Sequence, residues 1–320
     1  MHRSPALLAA LAASAFALVA NGCGGASDSK AATPAGATSG GGSLSLVAYS
    51  TPQVVYDELI PAFGATAAGR GVAVKTSFGA SGDQSRAVDA GQKADVVSFS
   101  IEPDMTRLQD AGVVSDFRTI STSQVAFIVR KGNPKKIRGW DDLLANGVEV
   151  VTPNPFTSGA AKWNLLGAYA HGGLPYTEKL LTEHVKVQDK SGREALQTFT
   201  AGTGDVLLSY AYEGVTAQKK GADVDVVIPD DTLRIDILIA RTKDAGPEAD
   251  AFIDYATGPA GQKFFAGWGY DPPAGPRKPA PKLRTIEDLG GWKKLNADLF
   301  DPETGSIAKI EEAAGVSTAK

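Results

Sequence analysis

Three short segments of this chain pair serine with glycine where an apolar run gives way to a helical pattern. They are SFGASGDQS from Ser77, NPFTSGAAKW from Asn154 and DKSGREAL from Asp189. A helix that begins at such a turn leaves its first backbone N–H groups without an internal partner. Those donors, together with the positive end of the helix dipole, make a place for an anion. Glycine lets the backbone approach closely, and serine adds a neutral hydroxyl donor. One such turn also reads as a plain serine N-cap. Three in one chain shift the balance towards an anion site shared between helix starts. By charge alone, Arg193 in the third segment is the first side chain to set against that anion.

Signatures of catalysis are missing. The sequence holds no GxxxxGK(S/T), no HExxH and no GxSxG. Its three histidines are His2, His171 and His184, none with partners at metal-ligand spacing, and its one cysteine is Cys23. No metal and no cofactor is implied. A secreted phosphatase or sulfatase would need Ser81 or Ser158 as nucleophile with a base beside it. The sequence offers neither a suitable histidine nor an acidic cluster, so the chain reads as a binder and not as an enzyme. Asp95 and Asp205 stand at the starts of buried-type strands, where they cap or pair. Glu102 and Asp104 flank Pro103 as first-turn acids that favour a helix start. Trp163 and Trp292 read as packing residues. With 36 acidic against 32 basic residues, a formal net charge of -4 and no long basic run, a nucleic-acid partner is excluded.

The elements that must position these turns alternate strand and helix, which argues for an open α/β sheet. Strands are expected at 45–49, 72–74, 94–98, 124–129, 148–151, 185–188, 205–210, 224–228 and 235–240. Helical patterns fall at 52–63, from about Ser81, and at 103–111, 140–144, 160–170, 192–201, 248–256 and 259–267. The Pro-rich stretch 272–281 must run extended over the surface.

The N-terminal 22 residues, MHRSPALLAALAASAFALVANG, have a basic start and a short Ala-rich apolar run. That is the shape of a signal peptide, ending here in Ala20-Asn21-Gly22-Cys23 as a lipoprotein signal does. Cleavage before Cys23 and a lipid on its thiol are expected, which would hold the protein outside the cytoplasm on the cell membrane. Residues 23–43 are Gly-, Ala-, Ser- and Thr-rich and cannot bury enough surface to fold. They read as a tether between the membrane and the body. The body that follows, about 275 residues, is long enough for two lobes.

Longer stretches carry a resemblance. VAYSTP, SFGASGDQSRAV, ADVVSFS, AFIVRKGNPKKIRGWDDL, VEVVTPNPFTSGAAKWNLLGAYA, KSGREALQTF, GTGDVLLSYAYEG and LRTIEDLGGW closely resemble the sulfate-binding proteins of ABC importers, in particular the lipid-anchored actinobacterial ones. The similarity runs in order from Leu46 to about Phe300. It implies a two-lobed periplasmic-binding-protein fold of type II, each lobe a mixed sheet flanked by helices. Residues 44–123 and 234–320 would form lobe one and residues 124–233 lobe two, joined by hinge strands. It also implies a monomeric receptor that closes on dehydrated sulfate with neutral hydrogen bonds and delivers it to ABC permease subunits. Carried over, the binding groups are the hydroxyl and N–H of Ser81 and the Gly82 turn from lobe one, with Ser158, Gly159, Ala160 and the N–H of Gly192 from lobe two. Arg193 then supports the turn from outside the ligand shell. Tyr210 stands where the family carries an indole donor, Ser50 where it carries an acid, and Ala160 where glycine is common. Thiosulfate, molybdate and tungstate suit a similar shell. Hydrogen phosphate needs an acceptor for its proton, and Ser50 in place of an acid weakens the case for one.

Overall fold

The computed structural model describes residues 42–318; the signal-like run, Cys23 and nearly all of the tether lie outside the described residues. The body opens with three strand–helix pairs: β1 (Ser43–Tyr49) and α1 (Gln53–Gly64), β2 (Ala73–Gly79) and α2 (Ser81–Asp89), then β3 (Val96–Phe99) and α3 (Glu102–Asp110). Strand β1 lies between β2 and β3 and is parallel to both, as strands joined through helices must be. β3 is buried along its whole length, because helices cover both faces of such a sheet.

Strand β4 (Arg118–Arg130) follows, then α4 (Trp140–Leu143), β5 (Val150–Pro153), α5 (Gly159–Lys179), β6 (Val185–Asp189), α6 (Gly192–Thr200), β7 (Val206–Tyr210), α7 (Ala211–Lys219) and β8 (Val224–Val227). Here β5 lies parallel between β6 and β7. The chain ends through β9 (Asp231–Arg241), α8 (Pro247–Thr257), α9 (Pro259–Gly267), β10 (Lys282–Arg284), α10 (Trp292–Phe300) and α11 (Ser306–Ala313).

The long strands β4 and β9 join the two parallel groups. Arg118–Gln124 of β4 runs antiparallel to β9, and Val125–Val129 runs antiparallel to β7. β9 in turn pairs antiparallel with β3. The strand order is therefore β2-β1-β3-β9-β4-β7-β5-β6. Packing follows the aromatic side chains. Phe63 meets Phe252 edge-on at 5.3 Å, and Phe127 meets Trp140 at 4.9 Å. Trp163 and Trp292 pack on each other at 4.9 Å. Truncating a buried aromatic of this kind costs about 3–5 kcal/mol.

Several elements differ from the sequence reading. β4 begins six residues before Gln124, because Ser121, Thr122 and Ser123 are buried and pair with β9. Helices α7, α10 and α11 lie outside the helical patterns read from the sequence, although α10 and α11 are amphipathic. The helical pattern expected to stop at Ala170 continues through Gly172 and turns at Gly173, whose φ of 67° favours glycine. No helix among the described residues is long and apolar enough to cross a membrane.

Candidate anion-binding site

Six strands end in turns that start helices: β1 at Ser50, β2 at Ala80, β3 at Ser100, β5 at Asn154, β6 at Lys190, and β7 directly into α7. All six are parallel within their groups, so the helix starts gather at carboxyl ends of strands, where open α/β sheets bind ligands. The contacts between them are direct. Gly82 N–H donates to the Thr157 carbonyl at 3.1 Å, joining the start of α2 to the turn before α5. A Cβ on Gly192 would fall 3.2 Å from Thr51 Cγ2 and 3.5 Å from Ala160 Cβ, so α1, α5 and α6 also meet there. A Cβ on Gly159 would fall 2.1 Å from Ser100 Oγ. Glycine at 159 is therefore required by a close approach.

Within this ring the three serine–glycine turns do different things. Ser81 Oγ donates to Asp104 Oδ2 at 2.6 Å and accepts the Ser100 N–H at 3.2 Å. Its hydroxyl proton is thus engaged, which leaves its amide as the donor it can offer. Gly82 acts as a bridge, since its amide is held by Thr157. Ser158 is the N-cap residue of α5 by position but makes no capping bond with its side chain. Its own amide donates to Asn154 O at 2.9 Å. The hydroxyl of Ser158 and the first-turn amides of Gly159 and Ala160 remain for an anion. Ser191 does cap α6, accepting Glu194 N–H at 3.2 Å. The amides of Gly192 and Arg193 have no partner within their helix.

Charge is kept off the centre. The Arg193 guanidinium donates to the Ser50 carbonyl and to Gln53 Oε1. It ties α6 to the end of β1. Arg86 pairs with Asp83 at 2.5 Å, and Lys190 reaches the same carboxylate at 2.9 Å. Arg107 lies 3.6 Å from Asp104. Asp104 was expected to be a simple helix-start acid, but it is 4 % exposed. Burial raises its pKa, while the bond from Ser81 opposes that shift. Glu213, one turn into α7, is pushed up to about 8 by burial, against the pull of Arg193 and Lys220.

The wall is hydroxyl-rich. Tyr210 is fully buried and its hydroxyl has no protein partner, and the same holds for Ser100 Oγ. Thr51 Oγ1 and Tyr212 Oη share a hydrogen bond of 2.7 Å, and Tyr212 stacks on Tyr270 at 3.7 Å. Ser50 is 6 % exposed beside them. Ser100, Thr51 and Tyr212 escaped the sequence reading because none lies in a serine–glycine turn. A cavity of about 80 Å³ adjoins the ring, lined by Gly82, Asp104, Ser158, Gly159 and Lys162 among others. A larger one of about 920 Å³ lies between α3 and α10. Its lining includes Asp89, Glu102, Asp110 and Asp301, the wrong sign for an anion. No group of acidic, histidine or cysteine side chains suited to a metal occurs among the described residues.

Comparison with known proteins identifies the family. Residues 44–271 match the family model described as bacterial extracellular solute-binding protein. A sulfate-binding protein of Synechococcus elongatus is 35% identical over 305 residues, covering 84% of this chain and 87% of that protein. A thiosulfate-binding protein of Pseudomonas aeruginosa is 33% identical over 292 residues, covering 79% and 88%. The solved structure of the sulfate-binding protein SubI from Mycobacterium tuberculosis superposes with a TM-score of 0.76 at 42% identity. It covers 81% of this chain and 100% of that one. The fold is thus that of the type II periplasmic binding proteins, and the chain belongs to the bacterial extracellular solute-binding proteins, in the group that contains these sulfate-binding relatives.

Proposed function

We propose that this protein is the extracytoplasmic receptor of an ABC importer, and that it captures sulfate between its two groups of parallel strands. The observation that carries the reading is the convergence of helix-start amides and unpartnered hydroxyls, with the nearby guanidiniums engaged elsewhere. A buried dianion needs a hydrogen bond on every oxygen. Fixed amides supply such bonds without reorganising, which lowers the cost of binding. In this reading the anion is held by the amides of Ser81, Gly159, Ala160 and Gly192, the hydroxyls of Ser158 and Tyr210, and the Ser50 turn. Gly82 and Arg193 hold the turns together.

Residues 44–123 with 234–320, and 124–233, would be the lobes that close on it, with β4 and β9 as hinge strands. Cys23 would carry the lipid, and a monomer would hand the anion to permease subunits. Catalysis is not part of this reading. The two histidines among the described residues are engaged elsewhere, His171 by Asp231 and Asp141 and His184 by the Val148 carbonyl. Neither serves Ser81 or Ser158 as a base.

Calorimetric titration with sulfate, thiosulfate, molybdate, tungstate and phosphate tests the proposal. Sulfate should bind tightest. Hydrogen phosphate should be weaker by about 1–3 kcal/mol, the order of the cost of one unsatisfied buried group. Thiosulfate is the second reading, favoured by the Pseudomonas relative, and would show as tighter binding than sulfate. Phosphate binding as tight as sulfate would overturn the neutral-donor mechanism.

A further inference from the structure

Ser100 lies in none of the serine–glycine turns, yet it sits where the helix starts meet. It is 1 % exposed. Its backbone is held from two sides: its N–H donates to Ser81 Oγ at 3.2 Å, and its carbonyl accepts the Trp163 indole N–H at 2.6 Å. Ser81 belongs to α2 and Trp163 to α5, so Ser100 joins the first group of helix starts to the second. Its hydroxyl, in contrast, has no protein partner.

That hydroxyl occupies space left open by the glycine at position 159. A Cβ on Gly159 would overlap it, so Ser100 Oγ lies against the first residue of α5, whose amide has no partner within the helix. The Tyr210 hydroxyl is likewise buried without a well-formed partner, and it lies near enough to Ser100 for the serine hydroxyl to interact with it and oppose the rise that burial gives its pKa. Buried polar atoms in native proteins are almost always paired. Leaving one unpaired costs the desolvation of that group. A contact between the two hydroxyls spends at most one of their protons, so the pair beside an unpartnered helix start still has a donor to offer an acceptor.

We propose that Ser100 Oγ is a direct hydrogen-bond donor to the bound anion and a specificity-determining contact. The inference rests on the anion-receptor reading above. A hydroxyl in this position adds a neutral donor from the turn before α3, whose first-turn Asp104 is an acceptor already taken up by Ser81. It also puts the anion and the Trp163 clamp on one residue, so capture of the ligand and the joining of α3 to α5 bear on the same backbone.

The test is sulfate titration of full-length wild type and S100A by calorimetry, with melting temperatures taken in the absence of sulfate. S100A should bind sulfate about tenfold more weakly or worse. Its ligand-free melting temperature should be unchanged or raised, because a methyl group replaces an unpaired buried hydroxyl. S100C, close in size but a poor donor, should lose affinity in the same way. It also serves if S100A does not fold. Sulfate binding by either variant equal to wild type overturns the inference. So does a loss of affinity matched by an equal loss of ligand-free stability, which marks a structural role. A wild type that binds no oxyanion sinks the receptor reading itself. Wild-type binding with unchanged variants sinks the Ser100 assignment alone.

Discussion

In the proposed receptor, the Ser158 side chain would serve a ligand in place of its own helix. It occupies the N-cap position of α5 but makes no capping bond, although a serine there usually contributes about 1 kcal/mol by capping. S158A should therefore weaken sulfate binding by about 1.5–3 kcal/mol, roughly ten- to a hundredfold, with little change in ligand-free stability. S158D should be far worse, since it sets like charge beside a dianion. Calorimetry on both variants checks this, and sulfate affinity unchanged in S158D would mean the site lies elsewhere. At this scale the serine–glycine pairs marked where helices α2, α5 and α6 start. The sequence was not legible at Ser100, which sits in SFSIEP with no glycine to mark it. Asp104 is the first-turn acid of α3 that the sequence indicates, but its burial and its bond from Ser81 were not legible there.

Among the elements, α5 and β9 are joined through a histidine. His171 near the end of the first part of α5 contacts Asp231 Oδ2 at 2.7 Å at the start of β9, and Asp141 Oδ1 at 3.0 Å on α4. Burial lowers its pKa, but the bonds to Asp231 and Asp141 outweigh that and leave it raised. A raised histidine contributes stability that is fully present below its unfolded pKa and is lost as pH rises through the folded value. The melting temperature should therefore fall on going from about pH 6.5 upward, and H171Q should flatten that slope. Identical pH profiles for the two proteins would remove His171 from this role. Helix and strand existence was largely legible in the alternation of apolar runs. The length of β4 was not, because ISTS has no apolar period and becomes a strand through pairing with β9. Nor were α10 and α11, which are amphipathic segments beyond the Pro-rich stretch that pack back on α3 and α5.

For the whole molecule, the sequence outside residues 42–318 makes one further claim. C23S should move the protein from the membrane fraction to the soluble one and remove the acyl mass from its N-terminal peptide. Equal membrane retention with an unchanged N-terminal mass would refute the lipid anchor. The body has its own constraint. The bond between Gly82 N–H and the Thr157 carbonyl is main chain to main chain. It contains no side-chain atom, so ordinary substitutions cannot remove either partner. A side chain at position 82 must still contend with that carbonyl, 3.0 Å from where its Cβ would lie. A change of hydroxyl or aromatic side chain around the ring therefore leaves this seam intact, because neither of its bonded atoms belongs to a side chain.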